Sequence, residues 1–128
     1  MSQKLEGKIA LITGGSRGIG AAIAKRLAAD GTSLYSRWFN RLNAQAAAKV
    51  TTALTRMAQG NLGNAKSVGA GVQECRIDFG PGYRIYFGRD GDRLVILLGG
   101  GTKKRQQDDI RDAQALWSGY RRRKQKEQ

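Results

Sequence analysis

Apolar positions change their spacing several times along this chain, and each change marks a different kind of element. Residues 9–12 (Ile-Ala-Leu-Ile) form a short apolar run between Lys8 and Thr13, of the length of a buried strand. Gly14-Gly15-Ser16-Arg17-Gly18-Ile19-Gly20 follows, and then an alanine-rich segment in which Ile19, Ile23 and Leu27 recur at helical spacing up to a stop at Gly31. Helical spacing returns in residues 35–42, with Trp38, Phe39 and Leu42 on one side. It continues in residues 46–59, where Ala46, Val50, Ala53, Leu54 and Met57 form the apolar stripe. Gly60-Asn61-Leu62-Gly63-Asn64 interrupts the pattern, so these two segments predict a helical hairpin.

Beyond residue 71 the period becomes two. In residues 73–79, Cys75, Ile77 and Phe79 fall on one face and Glu74, Arg76 and Asp78 on the other. Gly80-Pro81-Gly82 turns the chain into residues 83–87, where Tyr83, Ile85 and Phe87 oppose Arg84 and Tyr86. Arg89-Asp90-Gly91-Asp92 is a hairpin turn, and residues 94–98 are apolar on both faces, as a central strand requires. Gly99-Gly100-Gly101 ends the strands. Residues 106–120 predict a closing helix with Ile110, Ala113, Leu116 and Trp117 inward.

The sum is an α+β fold: a small antiparallel sheet packed on an N-terminal helical hairpin and a C-terminal helix, preceded by a strand-helix unit of Rossmann type. Three parts are expected, at residues 1–31, 32–120 and a basic tail at 121–128. If the apolar strand faces pack on helices, the other face gathers Glu74, Arg76, Asp78, Arg84 and Tyr86, with Lys66 and Lys103-Lys104-Arg105 at its rim.

Composition narrows the chemistry. With 128 residues and 40% hydrophobic content there is material for one compact core. The chain has no histidine, which removes Ser-His-Asp triads and most catalytic zinc sites, and no metal site is expected. Its one cysteine, Cys75, has no internal disulfide partner, and no apolar run reaches membrane-spanning length, so a cytoplasmic location is expected. The net charge of +13 favours an anionic partner, and only +3 of it (five Lys or Arg against two Asp or Glu) lies in residues 1–31.

Two resemblances follow from these residues. Thr13-Gly14-X-X-X-Gly18-Ile19-Gly20, preceded by Lys-Leu-Glu-Gly-Lys, resembles the opening of short-chain dehydrogenases/reductases. That resemblance implies that Gly14, Gly18 and Gly20 face a cofactor diphosphate, with Arg17 suited to NADPH. It covers 31 residues, and the family's Ser…Tyr-X-X-X-Lys catalytic set does not follow. Tyr120-Arg-Arg-Arg-Lys124 has the spacing only, so this cofactor site is expected to be vestigial and the chain to work with no cofactor.

The second resemblance rests on residues 66–87, from Lys66-Ser-Val-Gly-Ala-Gly to Arg84-Ile-Tyr-Phe, and on Leu-Leu-Gly-Gly-Gly-Thr-Lys103-Lys-Arg-Gln106 with the helix after it. This stretch looks like HigB-like members of the RelE/ParE toxin superfamily. The likeness implies a metal-independent endoribonuclease of a toxin-antitoxin system, cleaving mRNA on the ribosome by 2′-OH attack and held in check by an antitoxin. Lys66, Arg76, Arg84, Tyr86 and Lys103 would be its catalytic set. In it Arg76 and Arg84 stabilise charge, Lys66 or Lys103 accepts the proton and Tyr86 donates one or stacks on a base. Lys104, Arg105 and Gln106 would hold RNA. Two departures from that pattern are an absent first strand and Thr102 where an aspartate is expected. The abrupt junction near residues 31–34 suggests a fusion. The competing readings are a catalytically dead fusion that only binds RNA or an antitoxin, and a remnant NADP-binding reductase.

Overall fold

The computed structural model describes residues 20–23 as backbone, and residues 33–91 and 93–126. In chain order the elements are strand β1 (Gly20–Ile23), helices α1 (Leu34–Asn40) and α2 (Ala44–Ala58), strands β2 (Ala65–Ser67), β3 (Val72–Ile77), β4 (Tyr83–Asp90) and β5 (Arg93–Gly100), a 3-10 turn at Lys103–Arg105, and helix α3 (Gln106–Lys126). Both short helices start on side-chain caps. Ser33 Oγ accepts from the Ser36 N–H at 3.0 Å, and Asn43 Oδ1 accepts from the Ala46 N–H at 2.8 Å. Each satisfies one of the amides that a helix start leaves without a partner.

The strands form one sheet in the order β1-β5-β4-β3-β2. Neighbours among β2 to β5 run antiparallel, and β1 lies parallel to β5 with Gly20 opposite Arg93 and Ile23 opposite Ile96. Alternation sends the strand side chains to two separate cores. Cys75, Ile77, Ile85, Phe87, Leu94 and Ile96 pack with Tyr35, Val50, Leu54 and Met57 of the helical hairpin. Val72, Tyr86, Val95, Leu97 and Leu98 pack with Ala113, Leu116 and Trp117 of α3. A bulge allows adjacent Leu97 and Leu98 to share one core: Tyr86 pairs with Leu98 and Phe87 with Ile96, which leaves Leu97 unmatched.

The α+β class, the antiparallel strands β3, β4 and β5 and the three helices are as the pattern predicts. Four details differ. Residues 65–67, not expected as a strand, form β2 beside β3. α3 covers the sheet face expected to carry the polar row, so the molecule is helix-sheet-helix and part of that row is buried. α3 also runs through residues 121–126 instead of stopping at Tyr120. Residues 20–23, expected inside a helix, are a strand. The strand expected at residues 9–12 lies outside the described residues. No helix among the described residues is long and apolar enough to cross a membrane.

Close approach fixes where helices meet the sheet. A Cβ at Gly88 would lie 2.6 Å from ring carbons of Trp117, and one at Gly99 would run into the Trp38 ring. Trp117 is buried. Gly88→Ala is therefore expected to lower stability by about 1–3 kcal/mol, the usual cost of overpacking, as read by urea denaturation. An unchanged midpoint would mean that α3 is not seated on β4 in this way.

Candidate functional site

Strand register brings the polar residues together. Lys66, Glu74 and Tyr86 are direct cross-strand neighbours on β2, β3 and β4, so period-two alternation lines them up on the α3 side of the sheet. Glu74 sits at the centre with 1% of its surface exposed. Its Oε2 accepts from the Tyr86 hydroxyl at 3.0 Å and from the Gln106 side-chain amide at 2.8 Å. Arg84 Nε lies 3.7 Å from the same oxygen, and Lys66 Nζ lies 3.8 Å from Oε1. Among the described residues, Glu74 Oε1 and Arg84 Nε have ion-pair neighbours but no hydrogen bond.

This network holds protons in place. Burial, and then the Glu74 carboxylate beside it, pushes the Tyr86 hydroxyl well above the ordinary phenol range, so it remains a donor. One turn into α3, Asp109 is buried against Gly100 with Arg105 at 3.9 Å. Burial raises its pKa, Arg105 opposes that shift, and Asp112 and Asp108 add to it.

The residues singled out from the sequence separate into groups. Lys66, Arg84, Tyr86 and Gln106 converge on Glu74. Arg76 instead pairs with exposed Asp78 at 3.7 Å. Lys103, Lys104 and Arg105 form the exposed 3-10 turn, capped where Thr102 Oγ1 accepts from the Arg105 N–H at 3.3 Å. Gly14, Arg17 and Gly18 lie outside the described residues, and Gly20 opens β1. Sequence reasoning missed Glu74 as the hub and missed Asp109 altogether. The signal for Glu74 was available, since it is the one carboxylate flanked by cations in the row that α3 covers.

Two further groupings stand out. A cleft of about 600 Å³ between α2 and β3 is lined by Lys49, Arg56, Arg76, Thr52, Asn61 and Asn64, among others, with Asp78 its one carboxylate. Lys49 lies over the Phe79 ring at 5.5 Å. On α3, Tyr120 and Lys124 are one turn apart and share one acceptor, Asp90 Oδ2, at 2.7 and 2.6 Å. Burial, followed by that hydrogen bond, raises the Tyr120 pKa. A phenol that must act as an acid-base catalyst near neutrality needs the opposite shift.

Residues 8–81 match the short chain dehydrogenase family. The chain belongs to the short chain dehydrogenase family. L-xylulose reductase of Aspergillus niger is 71% identical over 34 residues, 27% of this chain and 11% of that protein. The Escherichia coli 3-oxoacyl-(acyl-carrier-protein) reductase is 39% identical over 75 residues, 59% of this chain and 31% of that protein. An uncharacterized protein of Haemophilus influenzae is 43% identical over 86 residues, 66% of this chain and 87% of that protein. The chain thus spans less than a third of either reductase and most of the Haemophilus protein.

The match and the reductase relatives overturn the toxin endoribonuclease that the second resemblance implied. The geometry supplies a physical reason. An RNA phosphate site needs converging positive charge, and here Lys66 and Arg84 converge on a buried carboxylate that offsets them. Members of the dehydrogenase family normally bind NAD(P). The cradle for its diphosphate requires a helix N-terminus after the glycines, where free amides gather. Gly20 begins a strand instead, so the described backbone does not fit a cofactor held in that cradle.

Glu74→Ala leaves buried Tyr86 without its acceptor and half-buried Arg84 without its counter-charge, and is expected to cost about 3 kcal/mol or more in chemical denaturation; a loss below about 1 kcal/mol would show that the network carries no weight. Asp109 has its folded pKa raised above the unfolded value, so its contribution to stability is greatest below the ordinary 3.8 and is lost as pH rises through the folded pKa. Asp109→Asn is expected to raise Tm at neutral pH and to lose that advantage in acid. A difference independent of pH would point to packing instead.

Proposed function

We propose that this chain is a remnant of the reductase family that binds a phosphate-bearing nucleotide and transfers no hydride. The observation that carries this reading is the cleft of Lys49, Arg56 and Arg76. Three cations and the polar groups of Thr52, Asn61 and Asn64 line it against one carboxylate. Every one of these residues lies inside the family match at residues 8–81. Lys49 and Arg56 are seven residues apart on α2, two helical turns, so they share a face and reach the same ligand. Phosphate oxygens are recognised by such charge-assisted donors, and the net charge of +13 draws anions toward them.

The lost chemistry has its own support. Tyr120 and Lys124 have the spacing of the family's catalytic pair, but Asp90 occupies both and the Tyr120 phenol is held protonated. The test is calorimetric titration with NADP+, NAD+ and inorganic pyrophosphate, run beside an NADPH oxidation assay on ketose and 3-oxoacyl substrates. Phosphate-dependent binding that weakens with salt is expected, with a loss of about tenfold in Arg56→Ala or Arg76→Ala and no NADPH consumption. Steady NADPH oxidation, or binding unchanged when Arg56→Ala and Arg76→Ala are combined, overturns the proposal.

A further inference from the structure

The glycine motif ends in a segment that does something other than what its sequence suggests. Gly20 is the last glycine of Thr13-Gly14-X-X-X-Gly18-Ile19-Gly20, and in a phosphate cradle it and the residues after it belong to a helix whose N-terminus points at the ligand. Here Gly20, Ala21, Ala22 and Ile23 run parallel to β5, opposite Arg93, Leu94, Val95 and Ile96. A backbone segment cannot be both. Paired as a strand, it aims its amides sideways into β5, and they are no longer stacked along a helix axis toward an anion.

The partner strand shows why this pairing matters. Residues 94–98 of β5 are all buried, with Leu94 and Ile96 in the hairpin-side core and Val95 and Leu97 in the α3-side core. A strand buried on both faces is an interior strand. Without β1 its outer edge would carry a row of unpaired N–H and C=O groups beside the most apolar stretch of the sheet, a template for pairing with other chains. We infer that the end of the glycine motif has been reassigned from phosphate cradle to edge strand. Residues 20–23 close the β5 edge of the sheet, and the closed sheet and the cradle exclude one another. This stands apart from the phosphate-binding reading, which rests on the α2–β3 cleft.

Alternate residues of an edge strand direct their N–H toward the neighbouring strand and toward solvent, so one of each consecutive pair donates into β5. Ala21→Pro and Ala22→Pro in the full chain form a matched pair, because proline deletes one N–H. Amide hydrogen exchange along Arg93, Leu94, Val95 and Ile96 is expected to speed up about tenfold in one variant and much less in the other, as loss of one ladder bond predicts. Equal effects of the two variants, or none, overturn the pairing. Cα chemical shifts of residues 20–23 in the unmodified chain decide the matter without relying on either variant. Extended shifts with and without saturating NADP+ are expected, and helical shifts in either state overturn the inference. Because the shifts report residues 20–23 alone, NADP+ that binds in the α2–β3 cleft leaves them unchanged.

Discussion

Burial of β5 on both faces constrains everything else in the molecule. A strand whose five central side chains are all apolar needs cover above and below, and the helical hairpin and α3 supply it from opposite sides. The bulge at Leu97 follows from the same demand, since it turns an extra leucine toward α3 where simple alternation would point it the other way. Gly88 and Gly99 follow too, for only a residue without a side chain lets Trp117 and Trp38 lie directly on the strands.

The polar row on the α3 side is where this covering has its cost. α3 takes Glu74 and Tyr86 out of water, and a buried carboxylate is tolerated only if its charge and its lone pairs are answered. Tyr86 and Gln106 answer with hydrogen bonds, Arg84 and Lys66 with charge. Residues that look catalytic in a linear reading are thereby occupied in keeping one another buried. The α2–β3 cleft differs in degree: its lining sets Lys49, Arg56 and Arg76 against the single carboxylate of Asp78, and the Arg76–Asp78 pair is exposed.

Much of the fold was legible because its signals are local. The doubly apolar run at 94–98 and the stripe of Ala46, Val50, Leu54 and Met57 report burial patterns that the structure repeats, and the two-residue period of residues 73–79 and 83–87 marks strands β3 and β4, although burial of Glu74 and Tyr86 on the second face breaks the expected in-out alternation. The strand at Gly20–Ile23 was not legible, since Ile19, Ile23 and Leu27 keep helical spacing and the pairing with β5 depends on a partner some seventy residues away. The site was read in part. Alternation put Glu74, Arg84 and Tyr86 on one face with Lys66 at its rim, while Gln106 was named only through the second resemblance; whether that face meets water or a helix is a tertiary fact, and it changes Tyr86 from candidate acid to fixed donor. The function implied by the second resemblance failed for a related reason: a pattern of residue types carries no record of which charges already answer each other.

The tethers at the two ends of α3 have a mechanical meaning. Near its start Gln106 is tied to Glu74 of β3, and toward its end Tyr120 and Lys124 are tied to Asp90 at the close of β4. From Gln106 to Lys124 the helix makes eighteen rises of about 1.5 Å, a span of about 27 Å. A helix clamped at both ends over that length braces the sheet against twisting. The strands beneath it transmit load as one plate, and a pull on the C-terminus is resisted first at the tip of the β4–β5 hairpin.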